Sequence, residues 1–134
     1  MARASKGKRR STKRFAYLPV EVLKSNACRS APPSALKVLV CLAAQYSGGN
    51  NGDLTLARPI AKEYGLKSQR QKNAARDLLE ERGLILKTRQ GGRNKCDLYA
   101  VTWWPIDHCA GKLDVRDTTI ASNDWKHWAS SKSV

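Results

Sequence analysis

The chain is 134 residues long and carries 25 Lys/Arg against 11 Asp/Glu, a formal net charge of +14. That length suits one domain burying roughly two-thirds of its unfolded surface, and no stretch approaches the roughly 20 apolar residues a membrane span needs. Cys28, Cys41, Cys96 and Cys109 are scattered with no C-x-x-C pair, so neither a zinc finger nor a disulfide framework is indicated and a soluble, cytoplasmic chain with reduced thiols is expected.

The positive charge is localised. Residues 1–14 hold seven Lys/Arg and no acid, and residues 66–100 hold nine against four, whereas 15–65 carry five against three and 101–134 balance at four each. Localised excess of this kind is the footprint expected of a nucleic-acid partner. The first segment, with Lys6, Lys8, Arg9, Arg10, Lys13 and Arg14 among small residues, has nothing apolar to bury and is expected to be a flexible basic arm. Such an arm tracks phosphates through counterion release or enters a minor groove.

Phe15-Ala16-Tyr17-Leu18-Pro19 brings the first apolar residues, and Val20, Val22 and Leu23 continue as a short helix or extended lead-in packed on the body. Pro32-Pro33-Ser34 opens a strong helix, because proline is tolerated in a first turn. Leu36, Val38, Leu39, Val40, Leu42, Ala43 and Ala44 make it apolar almost all round, so it is core, with glycines stopping it at Tyr46–Gly49. Asn50-Asn51-Gly52-Asp53 reads as a turn and Leu54-Thr55-Leu56 as a short strand. A second helix follows around Pro59, with Ile60, Ala61 and Tyr64 inward and Gly65 ending it.

Residues 68–82 then form the most informative helix. Ala75, Leu78, Leu79 and the stem of Arg82 share one face at helical spacing. The polar face is split, with Gln69, Arg70, Lys72, Asn73 and Arg76 leading and Asp77, Glu80 and Glu81 trailing. A helix charged this way can push its leading end into a polyanionic groove, so it reads as a DNA recognition helix. Arg70, Asn73 and Arg76 are the expected base readers, flanked by Gln69 and Lys72. After Gly83 the period becomes extended, and 84–89 and 95–103 read as a β-hairpin around Gln90-Gly91-Gly92-Arg93-Asn94. Lys67 and Ser68 before the helix, with Lys87, Arg89, Arg93 and Lys95 around the tip, are the expected phosphate or minor-groove contacts.

Leu18-Pro19, the Asn50-Asn51-Gly52 turn, Gly65, Glu81-Arg82-Gly83-Leu84-Ile85, the strand at 98–103 and the closing Asn123–Trp128 segment together resemble the small winged helix-turn-helix proteins of phages, plasmids and integrated mobile elements. The resemblance spans about residues 15–128. It implies an α+β, mainly α fold of three core helices plus a β-hairpin wing over 15–104, preceded by the 1–14 arm and followed by a 105–134 extension. It departs from the common pattern at Ala57, where a serine or threonine cap is expected, at a cost of about 1 kcal/mol. The implied role is a sequence-specific double-stranded DNA-binding regulator of transcription in a bacterial cytoplasm, associated with the nucleoid. A homodimer on a palindromic or repeated site fits that role. A replication initiator, an RNA-binding module and a protein-interaction domain are the competing readings.

Trp125 and Trp128, at i, i+3 spacing, are expected to pack on the body or a dimer partner rather than stack on bases. No cofactor, small-molecule substrate or metal is expected, since His108-Cys109 supplies two ligands without a second pair. The acids lack metal-binding spacing, no Gly-rich phosphate loop precedes a Lys-Ser/Thr, and no Ser/His/Asp grouping is suggested. Catalysis is therefore not expected.

Overall fold

The computed structural model describes residues 14–129. Its helices are α1 (Val20–Lys24), α2 (Asn26–Arg29), α3 (Pro33–Gln45), α4 (Arg58–Glu63) and α5 (Gln69–Glu81). Its strands are β1 (Leu54–Thr55), β2 (Ile85–Arg89) and β3 (Leu98–Val101), and a short 3-10 turn closes the order at Asp124–His127. The class is α+β, mainly helical, with one antiparallel sheet in the order β1-β3-β2.

Helix α3 forms the core's centre, as its apolar periphery dictates. Ala35, Val38, Leu39, Cys41, Leu42 and Ala43 are buried along it, while Leu36 faces outward. Leu79 and Ala75 of α5, Leu54, Leu84, Ile85, Tyr99 and Val101 complete one cluster with these residues. The helix ends at Gln45 rather than at the glycines, because Tyr46 is already extended. The Gln45 amide takes over the chain's direction there: its Oε1 accepts from Thr55 N–H at 3.0 Å and its Nε2 donates to Thr55 O at 2.9 Å. A side chain thus pairs with β1 as a neighbouring strand would.

Two helix ends follow their glycines. Gly65 (φ +79°) and Gly83 (φ +75°) adopt the left-handed conformation that favours glycine. Leu66 N–H reaches Ala61 O after the first and Leu84 N–H reaches Leu79 O after the second, both at 3.0 Å, closing Schellman turns. At Gly83 a side chain would also meet the Asp124 backbone at 2.8 Å. The C-terminal segment therefore lies directly on the turn between α5 and β2.

Asn51 departs most from its sequence reading. It lies in the expected turn, yet its side chain is fully buried. Its Nδ2 donates to the carbonyls of Val101 (3.0 Å), Trp104 (3.2 Å) and Pro105 (2.9 Å), and its Oδ1 accepts from Val101 N–H at 2.9 Å. Its backbone N–H and C=O are both matched by Asp107, each at 2.8 Å. One residue thereby fixes where β3 ends and where the chain turns back.

Other boundaries shift. Lys95, Cys96 and Asp97 precede β3 rather than belonging to it, and the pairing with β2 is interrupted between Lys87 and Arg89. Residues 102–104 lie past the strand's end. Phe15 does not pack on the body, being 80 % exposed, and Val20 and Tyr17 also face outward while Val22 is buried. Trp125 joins the core and Trp128 packs against it.

Replacing Asn51 by Ala removes the partner of the buried Val101 carbonyl and N–H and of two part-buried carbonyls, Trp104 and Pro105. Unfolding stability should fall by roughly 3 kcal/mol, read as a lower urea midpoint with an unchanged slope. A second outcome follows from Cys41, whose thiol burial pushes up to about 11 from 9.0, with smaller opposing effects from Gln45 and Lys72. The folded state then binds more protons than the unfolded one between these values, so stability is retained below pH 9 and lost as pH rises toward 11. The difference in urea midpoint between the native chain and Cys41→Ala should narrow across that window.

Candidate functional site

The leading end of α5 is set by two local devices. The Gly65 turn aims the chain, and the Ser68 hydroxyl caps the helix by accepting from Gln71 N–H at 3.2 Å. A third contact crosses to the sheet: Lys72 Nζ donates to Leu56 O at 2.8 Å. The far end is held by Arg82, whose Nη1 donates to Ala27 O and Ser30 Oγ, both at 3.0 Å, while its guanidinium lies 4.3 Å over the Trp128 ring. The helix is therefore clamped at both ends.

These contacts redistribute the expected base readers. Lys72 is not on the open face: it is 7 % exposed and its ammonium points into the protein. Helical geometry explains this, because Lys72 lies on the same face as Ala75 and Leu79. Burial lowers its pKa from the ordinary lysine value, and the neighbouring Arg58 guanidinium lowers it further. Arg76 is half-buried and folded back, 2.9 Å from Asp77 and 3.8 Å from Glu80. It also donates to Asn73 Oδ1 at 3.3 Å, and Gln69 Nε2 donates to the same oxygen at 2.9 Å. Gln69, Asn73 and Arg76 thus form one side-chain chain along the helix. Arg70 stands apart, exposed and, among the described residues, without a hydrogen-bond or salt-bridge partner.

The hairpin divides in the same way. Asp97 accepts from Gly91 N–H, from Tyr99 Oη at 3.4 Å and from Lys87 Nζ at 3.3 Å. Burial works to raise its carboxyl pKa, but the Gly91 N–H and Lys87 prevail and hold it below the ordinary value. Arg89 donates across the hairpin to Cys96 O at 2.7 Å and 3.2 Å. Lys87 and Arg89 therefore stiffen the hairpin, and Arg93 and Lys95 are the exposed cations near its tip. Lys67 and Ser68 are also exposed at the helix entrance. Of the arm cations, Lys6, Lys8, Arg9, Arg10 and Lys13 lie outside the described residues. Arg14 belongs to the body, donating to Ala44 O at 3.1 Å near the end of α3.

Between helix and hairpin lies a cleft of about 200 Å³, lined on one side by Gln69, Asn73 and Arg76 and on the other by Cys96, Asp97 and Tyr99. Leu56, Ala57, Arg58 and Lys72 complete it. Arg58 was missed in the sequence because it lies on the helix before the recognition candidate, and only the fold brings the two helices to one cleft. Among the described residues, no three His, Cys, Asp or Glu side chains are grouped to hold a metal, and no helix is long and apolar enough to cross a membrane. Comparison with protein-family models, curated proteins and solved structures finds no match to this chain.

Ser68 is a cap as well as an exposed hydroxyl, and these roles separate by substitution. Ser68→Ala should lower stability by about 1 kcal/mol in urea unfolding, whereas Ser68→Asp, which can cap and suits a helix N-terminus, should restore it.

Proposed function

We propose that this chain is a sequence-specific double-stranded DNA-binding protein with a winged helix-turn-helix architecture, regulating transcription of a mobile element. The observation that carries the reading is the leading end of α5, a clamped helix presenting Arg70, Gln69 and Asn73 outward beside a hairpin tip bearing Arg93 and Lys95. The short helix α4, the Gly65 turn and the longer α5 support a helix-turn-helix, and the sheet order β1-β3-β2 supports a hairpin wing. The regulatory role and the mobile-element setting come from the family resemblance.

In this mechanism Arg70 reads guanine through its bidentate fork. Asn73 reads adenine, which requires Oδ1 and Nδ2 together, so Gln69 and Arg76 must yield the oxygen they now share. Arg76 then acts as a support for Asn73, and Lys72 as an internal strut. Lys67, Ser68, Arg93 and Lys95 take phosphates or the minor-groove edge and set register. The arm adds salt-sensitive affinity without selecting sequence. A second copy on a palindrome with half-sites about 10 base pairs apart would follow the usual symmetry of such readers.

Arg70→Ala should relax discrimination at one base pair by roughly 1–3 kcal/mol, measured by binding to a panel of duplexes selected from a random pool. An equal loss on every duplex would remove Arg70 from the base-reading set. With about six phosphates neutralised, log affinity should fall against log salt with a slope near −5, and a nearly flat line would contradict the phosphate contacts assigned to arm and wing.

A further inference from the structure

The cleft beside α5 holds an imbalance of charge that the assigned roles do not use. Lys72 is a buried ammonium with three N–H donors and one described acceptor, Leu56 O. Among the described residues no carboxylate lies within 4.0 Å of it. Buried ammonium groups are ordinarily paired, because removing the charge from water is costly. Arg58 also lines the cleft, exposed and, among the described residues, unpaired, and Arg76 faces it from α5. Arg76 is already paired with Asp77 and Glu80, so the cations left over are Lys72 and Arg58, and the one carboxylate in the cleft wall, Asp97, is engaged by Lys87 and the Gly91 N–H.

We propose that this cleft is an anion site and that its occupant is a backbone phosphate of the bound nucleic acid. Arg58 would grip the phosphate oxygens from the open side while Lys72, with N–H donors left over from its bond to Leu56 O, supplies the charge beneath. The cleft's volume is several times a water molecule's share of roughly 30 Å³, so a phosphate group can enter without displacing backbone. An acidic peptide or free carboxylate would match the charge of Arg58 and Lys72, but a duplex lying along α5 brings backbone phosphates to this face. The source of the phosphate rests on the DNA-binding reading, and the site itself rests on the cleft.

Two measurements on the full chain test this. In the first, inorganic phosphate is titrated at low ionic strength while the backbone amide shifts of Asn73, Cys96 and Tyr99 are followed. Saturating shifts are expected, weakened at least about tenfold by Arg58→Ala. In the second, duplex affinity is measured against salt. Arg58→Ala and Lys72→Met, each checked for cooperative unfolding, should reduce the magnitude of the slope by about 1 and weaken all sequences alike. Because both variants remove contacts to one phosphate, the double variant should lose less than the sum of the singles. Duplex binding with an unchanged slope in Arg58→Ala overturns the cleft assignment and leaves the DNA reading standing, whether or not Lys72→Met folds. Saturating phosphate shifts in a chain that binds no duplex overturn the nucleic-acid source.

Discussion

The Asn51 amide is the constraint on which the molecule's topology depends. A primary amide offers two donors and one acceptor oxygen with two lone pairs, and here that capacity is spent entirely on the backbone of one short segment, Val101 to Pro105. Those carbonyls belong to the last residue of β3 and to the segment just beyond it, past the reach of β1. Without the amide they would be buried or part-buried and unsatisfied, a condition that proteins avoid. Because Asp107 closes on the same residue's backbone, the turn before β1, the end of β3 and the start of the C-terminal return are one hydrogen-bonded knot. Trp125 and Trp128 reach the far end of α5 only because that return is fixed.

The same economy governs α5. On the proposed DNA-binding reading, α5 has to keep its exposed side chains within fractions of an ångström while Ala75 and Leu79 anchor its other face in the core. The chain meets this with long cationic side chains directed inward at both ends. Lys72 ties the leading end to the β1 exit, and Arg82 ties the trailing end to the α2 region and to Trp128. Both tie-points are polar and convergent, so they specify one orientation more strictly than apolar contact alone would.

Much of the fold was legible because its determinants are local. Pro32-Pro33 before an apolar run, Gly65 and Gly83 after helical runs, and Ser68 as a cap each act within a few residues, and the helices start and stop there. The glycines at 48–49 misled because a side chain, Gln45, redirected the chain before they were reached. Asn51 and Arg58 were illegible for one reason: their roles depend on partners 50 to 56 residues or about one helix away, whose proximity is a product of the fold. Lys72 was misread for another. Lysine is rarely buried, so residue type outweighed the helical spacing that already placed it with Ala75 and Leu79. Its neighbour Arg70 kept its expected exposure because it lies on the opposite side of the same turn.

This bears on how positive charge should be counted in a small basic domain. Arg14, Lys72, Arg76, Arg82, Lys87 and Arg89 all donate to groups of the protein itself. Arg76 and Lys87 are offset by Asp77 and Asp97, but Arg14, Lys72, Arg82 and Arg89 donate to neutral groups and still contribute to the long-range field, since a hydrogen bond to a neutral carbonyl does not cancel a charge. They cannot, without breaking those bonds, also form the short directional contacts that fix register or read a base. On the proposed DNA-binding reading, approach and recognition would draw on different subsets of the same cations. The whole basic complement would set the first, whereas the second would fall to Arg58, Lys67, Arg70, Arg93 and Lys95, near the leading end of one helix and the tip of one hairpin. Sequence-independent attraction should accordingly tolerate loss of any one cation, while discrimination between sequences should be concentrated in very few side chains, Arg70 foremost.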